Sequence, residues 1–244
     1  MRPDEIQRRA TELGPWVNGF EYDSVTYPRD TQVAPPRVGR ALPFFDVFPD
    51  ATRILELGAL EGADTIRLAS RPGVTVVAVE GRADNLSRAS FVLGLHGLTN
   101  VRLVHADVEQ FDLRSLGRFD VVLCTGLLYH LQRPWDLLRS IADVSDGLFL
   151  STHYWGDADT TFDTEGYVVK LVHEDHPEPR TRALTETTLW FDRPSLLKAL
   201  TDAGFGTPQV INERVAPSVC DIVLAARRAH QTVAGEQGTS AGPA

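Results

Sequence analysis

The chain has 244 residues, with 24 Lys or Arg against 33 Asp or Glu, so its formal net charge is −9. This length fits one large domain. A content of 43% hydrophobic and 23% charged residues is typical of globular proteins and excludes disordered and fibrous classes. The acidic balance weighs against nucleic-acid binding, which needs a basic patch. The two cysteines, Cys124 and Cys220, lie too far apart in sequence to indicate a disulfide framework or a metal-ligand pair.

Neither a secretory signal nor a membrane span is predicted. Residues 1–10 carry charged side chains and no apolar core, and no run approaches the roughly 18 apolar residues that a spanning helix requires. We therefore expect a soluble, cytoplasmic protein. A homodimer is left open.

The predicted elements begin after residues 1–45, which we interpret as an N-terminal cap. Short apolar runs rich in β-branched residues predict strands, and the segments between the first three have helical spacing. Alternating strands and helices are typical of a parallel sheet, and near-continuous apolar strands fit a sheet that is covered on both faces. The predicted strands are 53–57, 74–79, 101–105 and 119–124, and the predicted helices are 64–69 and 84–95.

The second half of the chain continues this α/β pattern with one interruption. Residues 154–190 are rich in acidic and aromatic side chains, which fits an insertion, or lid, after the fifth strand. The tail 229–244 has the composition of a disordered segment. The main domain then spans 46–228, and its remaining predicted elements are helices 134–142 and 194–203, the fifth strand 147–152, and strands 208–211 and 221–226 as a closing antiparallel pair.

A glycine-containing turn follows the first strand. Gly58 and Gly62 permit a sharp turn and a close approach of the backbone to a ligand, although glycines at this place also serve packing. Leu60 stands where the dinucleotide fingerprint G-x-G-x-x-G has its second glycine, which disfavours a dehydrogenase.

Acidic residues lie at the ends of the first three predicted strands. Glu56 precedes the glycine turn, Glu80 follows 24 residues later, and Asp107 comes after the third strand. Each acid alone is explained by a solvated strand end. Three in order, at the carboxyl edge where open α/β sheets bind ligands, indicate a site for ribose hydroxyls and an adenine amine.

Together these segments, from residue 53 to 152, resemble the class I S-adenosylmethionine-dependent methyltransferases. The resemblance implies a Rossmann-like, seven-stranded, mostly parallel sheet with helices on both faces and S-adenosylmethionine as cofactor. It also implies that Glu80 binds the ribose and Asp107 the adenine. By the same resemblance, Glu56, Gly58 and Gly62 hold the methionine part of the cofactor. Val108 and Gly126 are expected to make further cofactor contacts.

The segment from Gly126 to Leu138 is similar to Gly-x-Leu-Tyr-His-x-x-x-Pro in the subgroup that includes tRNA wobble-uridine carboxymethyltransferases and uncharacterised relatives. RNA-modifying members need positive surface to meet phosphates, and the charge of −9 favours a small-molecule acceptor instead. We expect transfer to an oxygen or nitrogen of a small aromatic metabolite. RNA modification and cofactor binding without transfer are the alternatives.

Two histidines follow strands that lead to this edge. His130 and His153 are candidate bases, because the ordinary pKa of histidine, about 6.5, suits a general base; a loop-orienting or purely structural role is the alternative for each. No metal is predicted, since His173 and His176 lie in a charged insertion of the kind that usually faces water. The aromatic cap residues Trp16, Phe20, Tyr22 and Tyr27 are expected over the cofactor, and the expected substrate contacts are Tyr129, Tyr154, Trp155 and Trp190, with lid packing as their alternative role.

Overall fold

The computed structural model describes residues 1–30, 40–157, 160–175 and 179–229. Its helices are α1 (Pro3–Glu12), α2 (Phe44–Val47), α3 (Ala63–Ala69), α4 (Ala83–Leu95), α5 (Pro134–Val144) and α6 (Arg193–Asp202). Its strands are β1 (Phe20–Tyr22), β2 (Val25–Tyr27), β3 (Arg53–Leu57), β4 (Thr75–Glu80), β5 (Val101–His105), β6 (Phe119–Thr125), β7 (Ser145–Trp155), β8 (Phe162–Thr164), β9 (Tyr167–His173), β10 (Thr187–Phe191), β11 (Gln209–Arg214) and β12 (Val219–Arg227).

Seven strands form the central sheet in the order β11-β12-β7-β6-β3-β4-β5. Neighbouring strands in the run β5-β4-β3-β6-β7 pair in parallel. Strand β12 pairs antiparallel with both β7 and β11. This confirms the predicted Rossmann-like, mostly parallel sheet and its closing antiparallel pair. The main difference within the sheet is β7, which continues to Trp155 beyond the predicted end at residue 152.

The sheet is covered on both faces, as its apolar strands predicted. Ile54 and Leu55 are fully buried neighbours on β3, and they enter two different core clusters because successive strand residues point to opposite faces. One cluster includes buried residues of α5 and α6, and the other includes those of α2 and α3. Parallel strands between such helices bring their carboxyl ends to one edge.

The N-terminal segment forms α1 and the β1–β2 hairpin. Trp16 is fully buried and donates from Nε1 to the carbonyl of Ala10 at 3.0 Å. The rings of Trp16 and Phe20 lie 6.3 and 5.8 Å from that of Phe91 on α4. The expectation that Trp16, Phe20, Tyr22 and Tyr27 cover the cofactor was wrong. Three of these rings pack with one another and with α4, and the ring of Tyr22 meets His96, at the end of α4, edge-on at 5.2 Å.

The lid has more regular structure than its composition suggested. Strands β8, β9 and β10 form a three-stranded antiparallel sheet in the order β10-β9-β8. The amide of Leu189 on β10 donates to the carbonyl of Leu131, at 2.9 Å, which ties the lid to the segment after β6. Of the expected disordered tail, residues 230–244 lie outside the described residues. No helix in the described part of the chain has the length and apolar character needed to cross a membrane.

Candidate active site

A cavity of about 670 Å³ runs along the carboxyl edge of the parallel strands. This volume lies in the usual range for ligand and cofactor sites. Its floor includes the sequence-predicted residues Glu56, Gly58, Glu80, Asp107 and Gly126. The cap and the lid supply the remaining walls, including Val17, Asn18, Glu174, Arg180, Leu184 and Trp190.

The turn after β3 is built from left-handed backbone. Gly58 has φ +79°, Gly62 has φ +84°, and Leu60 between them has φ +51° although it carries a side chain. The amides of Gly58 and Ala59 donate to the carbonyl of Val79 at 2.9 and 3.2 Å, which fixes the turn against β4. Leu60 thus occupies the conformation that a glycine would adopt more readily.

The two predicted glycines of this turn have different surroundings. Gly58 lines the cavity, whereas Gly62 is not among its lining residues. A Cβ at Gly62 would lie 3.3 Å from the Cβ of Ala89, so this glycine permits close packing of the turn on α4. Its position supports the packing role that the sequence left open.

Glu80 is a buried carboxylate that organises the neighbouring backbone. It accepts the Leu60 amide at 2.9 Å on Oε2, and on Oε1 it accepts the Arg82 amide at 2.9 Å and the Asn85 side-chain amide at 3.3 Å. A carboxylate offers about four acceptor positions. The three donors fix its orientation and leave acceptor capacity toward the cavity that it lines.

Glu56 differs from Glu80 because its environment favours the protonated form. Its side chain is buried and accepts the Thr65 hydroxyl at 2.6 Å. Burial raises the pKa of Glu56 to about 8, and the charge of Asp64 adds to the rise. Burial also raises the pKa of Asp64, which lines the same cavity. A cationic ligand group here would favour ionisation of both acids.

Asp107 and Val108 line the cavity after β5. The Asp107 carboxylate accepts the amide of Glu109 at 3.0 Å. Glu109 in turn accepts the amides of Gln132 and Arg133 at 2.9 and 3.0 Å. The loop after β5 is thereby joined to the segment after β6 that carries His130.

His130 lines the cavity and makes a close contact with the lid. Its Nδ1 lies 2.8 Å from Oε1 of Glu174, the residue that directly follows β9. Both side chains are largely buried, with 15% of the His130 side chain and 4% of the Glu174 side chain exposed. A buried carboxylate can orient an imidazole and stabilise its charged form, as general bases require.

His153 forms a second histidine–carboxylate pair on the cavity wall. Its Nδ1 lies 2.6 Å from Oδ1 of Asp221 on β12, and Asp221 also accepts from Nε of Arg214 at 2.7 Å. The Tyr129 ring lies between the two histidines, with centroid distances of 4.2 Å to His130 and 4.1 Å to His153. Trp190 stacks on His153 at 5.3 Å.

The structure does not bring Tyr154 and Trp155 to this cavity. Strand β7 alternates, so Tyr154 faces the opposite side of the sheet from His153, where its buried hydroxyl donates to Glu213 at 2.7 Å. Trp155 shares the face of His153 but lies two residues further on, and its Nε1 donates to Thr160 at 2.8 Å. Neither position supports the predicted contact with substrate.

Several polar residues of the site were missed in the sequence. Glu61 is buried and accepts the amides of Val17 and Asn18 at 2.7 and 2.8 Å, which attaches the cap to the glycine turn. Its place inside the turn motif was an available signal. Glu174 and Asp221 had none, because each reaches its histidine through tertiary packing from a distant part of the chain.

The lid also contacts the edge near Glu80. Arg82 donates from Nη2 to the carbonyl of Ala183 at 2.8 Å, and Asn85 donates to the carbonyl of Arg180 at 3.1 Å. The Arg180 guanidinium meets Asp30 of the cap at 2.8 Å. The N-terminal segment and the segment 180–183 therefore meet at the sheet edge near Glu80.

The acidic insertion carries two histidines, His173 and His176, beside its carboxylates. Across the described segments, no group of three or more His, Cys, Asp and Glu side chains is arranged to hold a metal ion. His173 lines the cavity. His176 lies outside the described residues.

Two solved structures that resemble this chain contain S-adenosylhomocysteine, the product of methyl donation. One is the crystal structure of the N-terminal domain of EvdMO1 with S-adenosylhomocysteine bound. Its sequence is 52% identical to this chain, its TM-score is 0.89, and the match covers 94% of this chain and 98% of that one. Full EvdMO1 is 49% identical, and its match covers 92% of this chain but 47% of that protein, with a TM-score of 0.76. The chain thus spans about half of EvdMO1.

More distant structures share the fold alone. Magnesium protoporphyrin IX methyltransferase from Synechocystis PCC 6803, with S-adenosylhomocysteine bound, is 18% identical with a TM-score of 0.53, over 78% of this chain and 80% of that one. No curated protein is significantly similar in sequence. A family model described as a methyltransferase domain matches residues 49–190. The chain therefore belongs to the methyltransferase-domain family and is an S-adenosylmethionine-dependent methyltransferase.

Proposed function

We propose that the chain methylates a hydroxyl oxygen of a small, sugar-like acceptor. The observation that carries this proposal is the pair of histidine–carboxylate contacts, His130–Glu174 and His153–Asp221, on either side of Tyr129 at the cavity wall. A hydroxyl must lose its proton when its oxygen is methylated, and a positioned histidine can take that proton. An amine acceptor that reacts in its neutral form has less need of such a base.

The nature of the acceptor is supported by one relative. The N-terminal domain of EvdMO1, 52% identical, was crystallised in the presence of S-adenosylhomocysteine and D-fucose. A pyranose ring offers hydroxyl groups for methylation and an apolar face that can lie against aromatic side chains such as Tyr129 and Trp190. This favours a sugar over the small aromatic metabolite that the sequence suggested. A neutral sugar needs no basic protein surface, which agrees with the net charge of −9.

We infer the cofactor contacts from the fit of the edge residues. S-Adenosylmethionine supplies an electrophilic methyl group on a sulfonium. Glu80 is buried, oriented and able to accept ribose hydroxyls. Asp107 and Val108 line the same cavity and are our proposed adenine contacts. Glu56 and Asp64, whose pKa values are raised by burial, provide acidic groups for the ammonium of the methionine part.

Within this site His130 is our proposed base. It belongs to the segment after β6, between the cofactor edge and the lid, and Glu174 holds one of its ring nitrogens. His153 would orient the acceptor from the neighbouring strand. We also propose that residues 1–45 act as a cap and 154–190 as a substrate lid on a domain from 46 to 228, since both additions line the cavity.

The proposal is tested by incubating the protein with methyl-labelled S-adenosylmethionine and a panel that includes D-fucose, other pyranoses, phenols, amines and tRNA. The expected result is label on a hydroxyl oxygen of a sugar. Label on tRNA would support the RNA-modifying subgroup that the segment 126–138 resembles. Binding of S-adenosylhomocysteine without transfer to any member would indicate a cofactor-binding protein, and label on nitrogen would contradict the proposed chemistry.

A further inference from the structure

We propose that Glu174 is the positioning residue of His130 and that it links the orientation of this base to the lid segment 180–184. This inference rests on the proposed function, in which His130 removes the proton of the acceptor. It adds a residue from the lid to the catalytic arrangement. The base would then be complete only when the lid is docked on the cofactor edge.

The direction of the hydrogen bond follows from the other partners of Glu174. Its Oε2 accepts the amide of Ala183 at 3.1 Å, and its Oε1 also accepts the hydroxyl of Thr188 at 3.4 Å. Both oxygens therefore act as acceptors, as in an ionised carboxylate. With Glu174 ionised, Nδ1 of His130 donates in the 2.8 Å contact, and Nε2 is the nitrogen that can accept a proton.

The same lid segment touches the cofactor edge. Ala183, whose amide binds Glu174, accepts through its carbonyl from Arg82 at 2.8 Å. A Cβ at Gly81 would lie 2.8 Å from Leu184, so the lid is in close contact with the backbone directly after Glu80. A ligand that stabilises this contact also stabilises the backbone donor that holds Glu174. The coupling is therefore carried by one short piece of chain.

The second histidine provides a matched comparison. Asp221, the partner of His153, lies on β12 within the central sheet and also binds Arg214. This pair does not depend on the segment 180–184 for its carboxylate. Glu174→Gln and Asp221→Asn thus remove equivalent charges from the two pairs, one carried by the lid and one by the sheet.

The test uses nitrogen NMR of the imidazole rings with S-adenosylhomocysteine as the probe ligand, and His130→Asn to identify the His130 signals. In the bound wild-type protein we expect His130 with its proton on Nδ1. In Glu174→Gln this signature should be lost, because an amide can donate as well as accept. In Asp221→Asn it should be kept. An unchanged His130 signature in Glu174→Gln, or equal loss in both variants, would overturn the proposal.

A second measurement needs no variant. Adding S-adenosylhomocysteine to the wild-type protein should slow hydrogen exchange of the Ala183 amide and increase the Nδ1-protonated form of His130 together. A bound wild-type protein with the proton on Nε2 would contradict the proposal even if Glu174→Gln does not fold. Calorimetry of S-adenosylhomocysteine and the transfer assay report separately on the proposed function, so absence of transfer with an intact His130 signature would reject that function alone.

Where transfer is measurable, its rate gives a further criterion. Glu174→Gln should lower kcat by about 10²-fold, the lower end of what general-base catalysis contributes. The KM for S-adenosylmethionine should change much less, because the edge residues remain in place. Equal changes in kcat and KM together with an unchanged ring signature would show that Glu174 only stabilises the lid.

Discussion

At the scale of single residues, the site contains carboxylates of different character. Glu80 is fixed by three donors, whereas Glu56 is buried with one hydroxyl donor and has a pKa raised to about 8. The first arrangement suits a permanent acceptor for ribose hydroxyls. The second suits a group whose charge depends on a cationic ligand, so we expect the two acids to respond differently to mutation.

Replacing Glu80 should weaken the cofactor site. In Glu80→Ala both the acceptor for ribose hydroxyls and the bond to the Leu60 amide are lost. Hydrogen bonds to charged groups contribute about 1.5–3 kcal/mol each, so we expect the Kd of S-adenosylhomocysteine to rise at least about tenfold in calorimetry. Glu21→Ala, which removes an exposed carboxylate on β1, is the control. Equal affinity in Glu80→Ala and wild type would reject the ribose assignment.

Replacing Glu56 should change the pH dependence of stability. Its folded-state pKa of about 8 exceeds the unfolded value of 4.5, so the folded state holds a proton that the unfolded state loses between these pH values. The contribution of wild-type Glu56 to the unfolding free energy is therefore fully present below about pH 4.5 and is lost as pH rises through 8. Glu56→Gln should gain unfolding free energy relative to wild type over this interval, by up to ~1.4 kcal/mol per pH unit. Denaturant unfolding at pH 5.5 and 8 measures the difference, and a constant difference would contradict the raised pKa.

At the scale of elements, the turn between β3 and α3 joins the cofactor edge, α4 and the cap. Its left-handed glycines and the Glu61 side chain serve different neighbours, so their contributions are separable. Gly62 faces α4, and Glu61 binds the amides of Val17 and Asn18.

Gly62→Ala should destabilise the fold more than Gly73→Ala. Both glycines have similar positive φ, +84° and +79°, so a side chain adds comparable backbone strain of about 1–2 kcal/mol at each. Only Gly62 also has a close neighbour, Ala89 at 3.3 Å, while nothing lies within 4 Å at Gly73. Chemical denaturation should therefore show a larger loss of unfolding free energy for Gly62→Ala. Equal losses would mean that packing on α4 is unimportant.

Glu61→Ala should loosen the cap. The substitution leaves two amides, those of Val17 and Asn18, without their acceptor, and an unsatisfied buried donor costs about 1–3 kcal/mol. We expect faster limited proteolysis within residues 1–30 and a higher Kd for S-adenosylhomocysteine, since both Val17 and Asn18 line the cavity. Unchanged proteolysis would show that the aromatic packing on α4 alone holds the cap.

At the scale of the whole molecule, the fold and the site were predictable to different extents. Glu56, Glu80 and Asp107 lie at the ends of apolar strands, so local patterns were sufficient to place them at one edge. The role of Glu174 was not predictable. It lies 44 residues from His130 along the chain, and only the packing of the lid brings the two side chains together. Tyr154 was wrongly expected in the site because β7 was predicted to end before it. Since β7 continues to Trp155, Tyr154 and His153 point to opposite faces of the sheet.

A sugar hydroxyl as acceptor and His130 as base are tested together by one experiment. The most direct measurement is transfer from methyl-labelled S-adenosylmethionine to the hydroxyl panel, with wild type and His130→Asn compared at equal saturation by cofactor. We predict label on oxygen with wild type and a rate lower by about 10²-fold or more with His130→Asn, while the affinity for S-adenosylhomocysteine is retained. Label on nitrogen, or an equal rate of oxygen methylation in His130→Asn, would contradict base catalysis of oxygen methylation by His130.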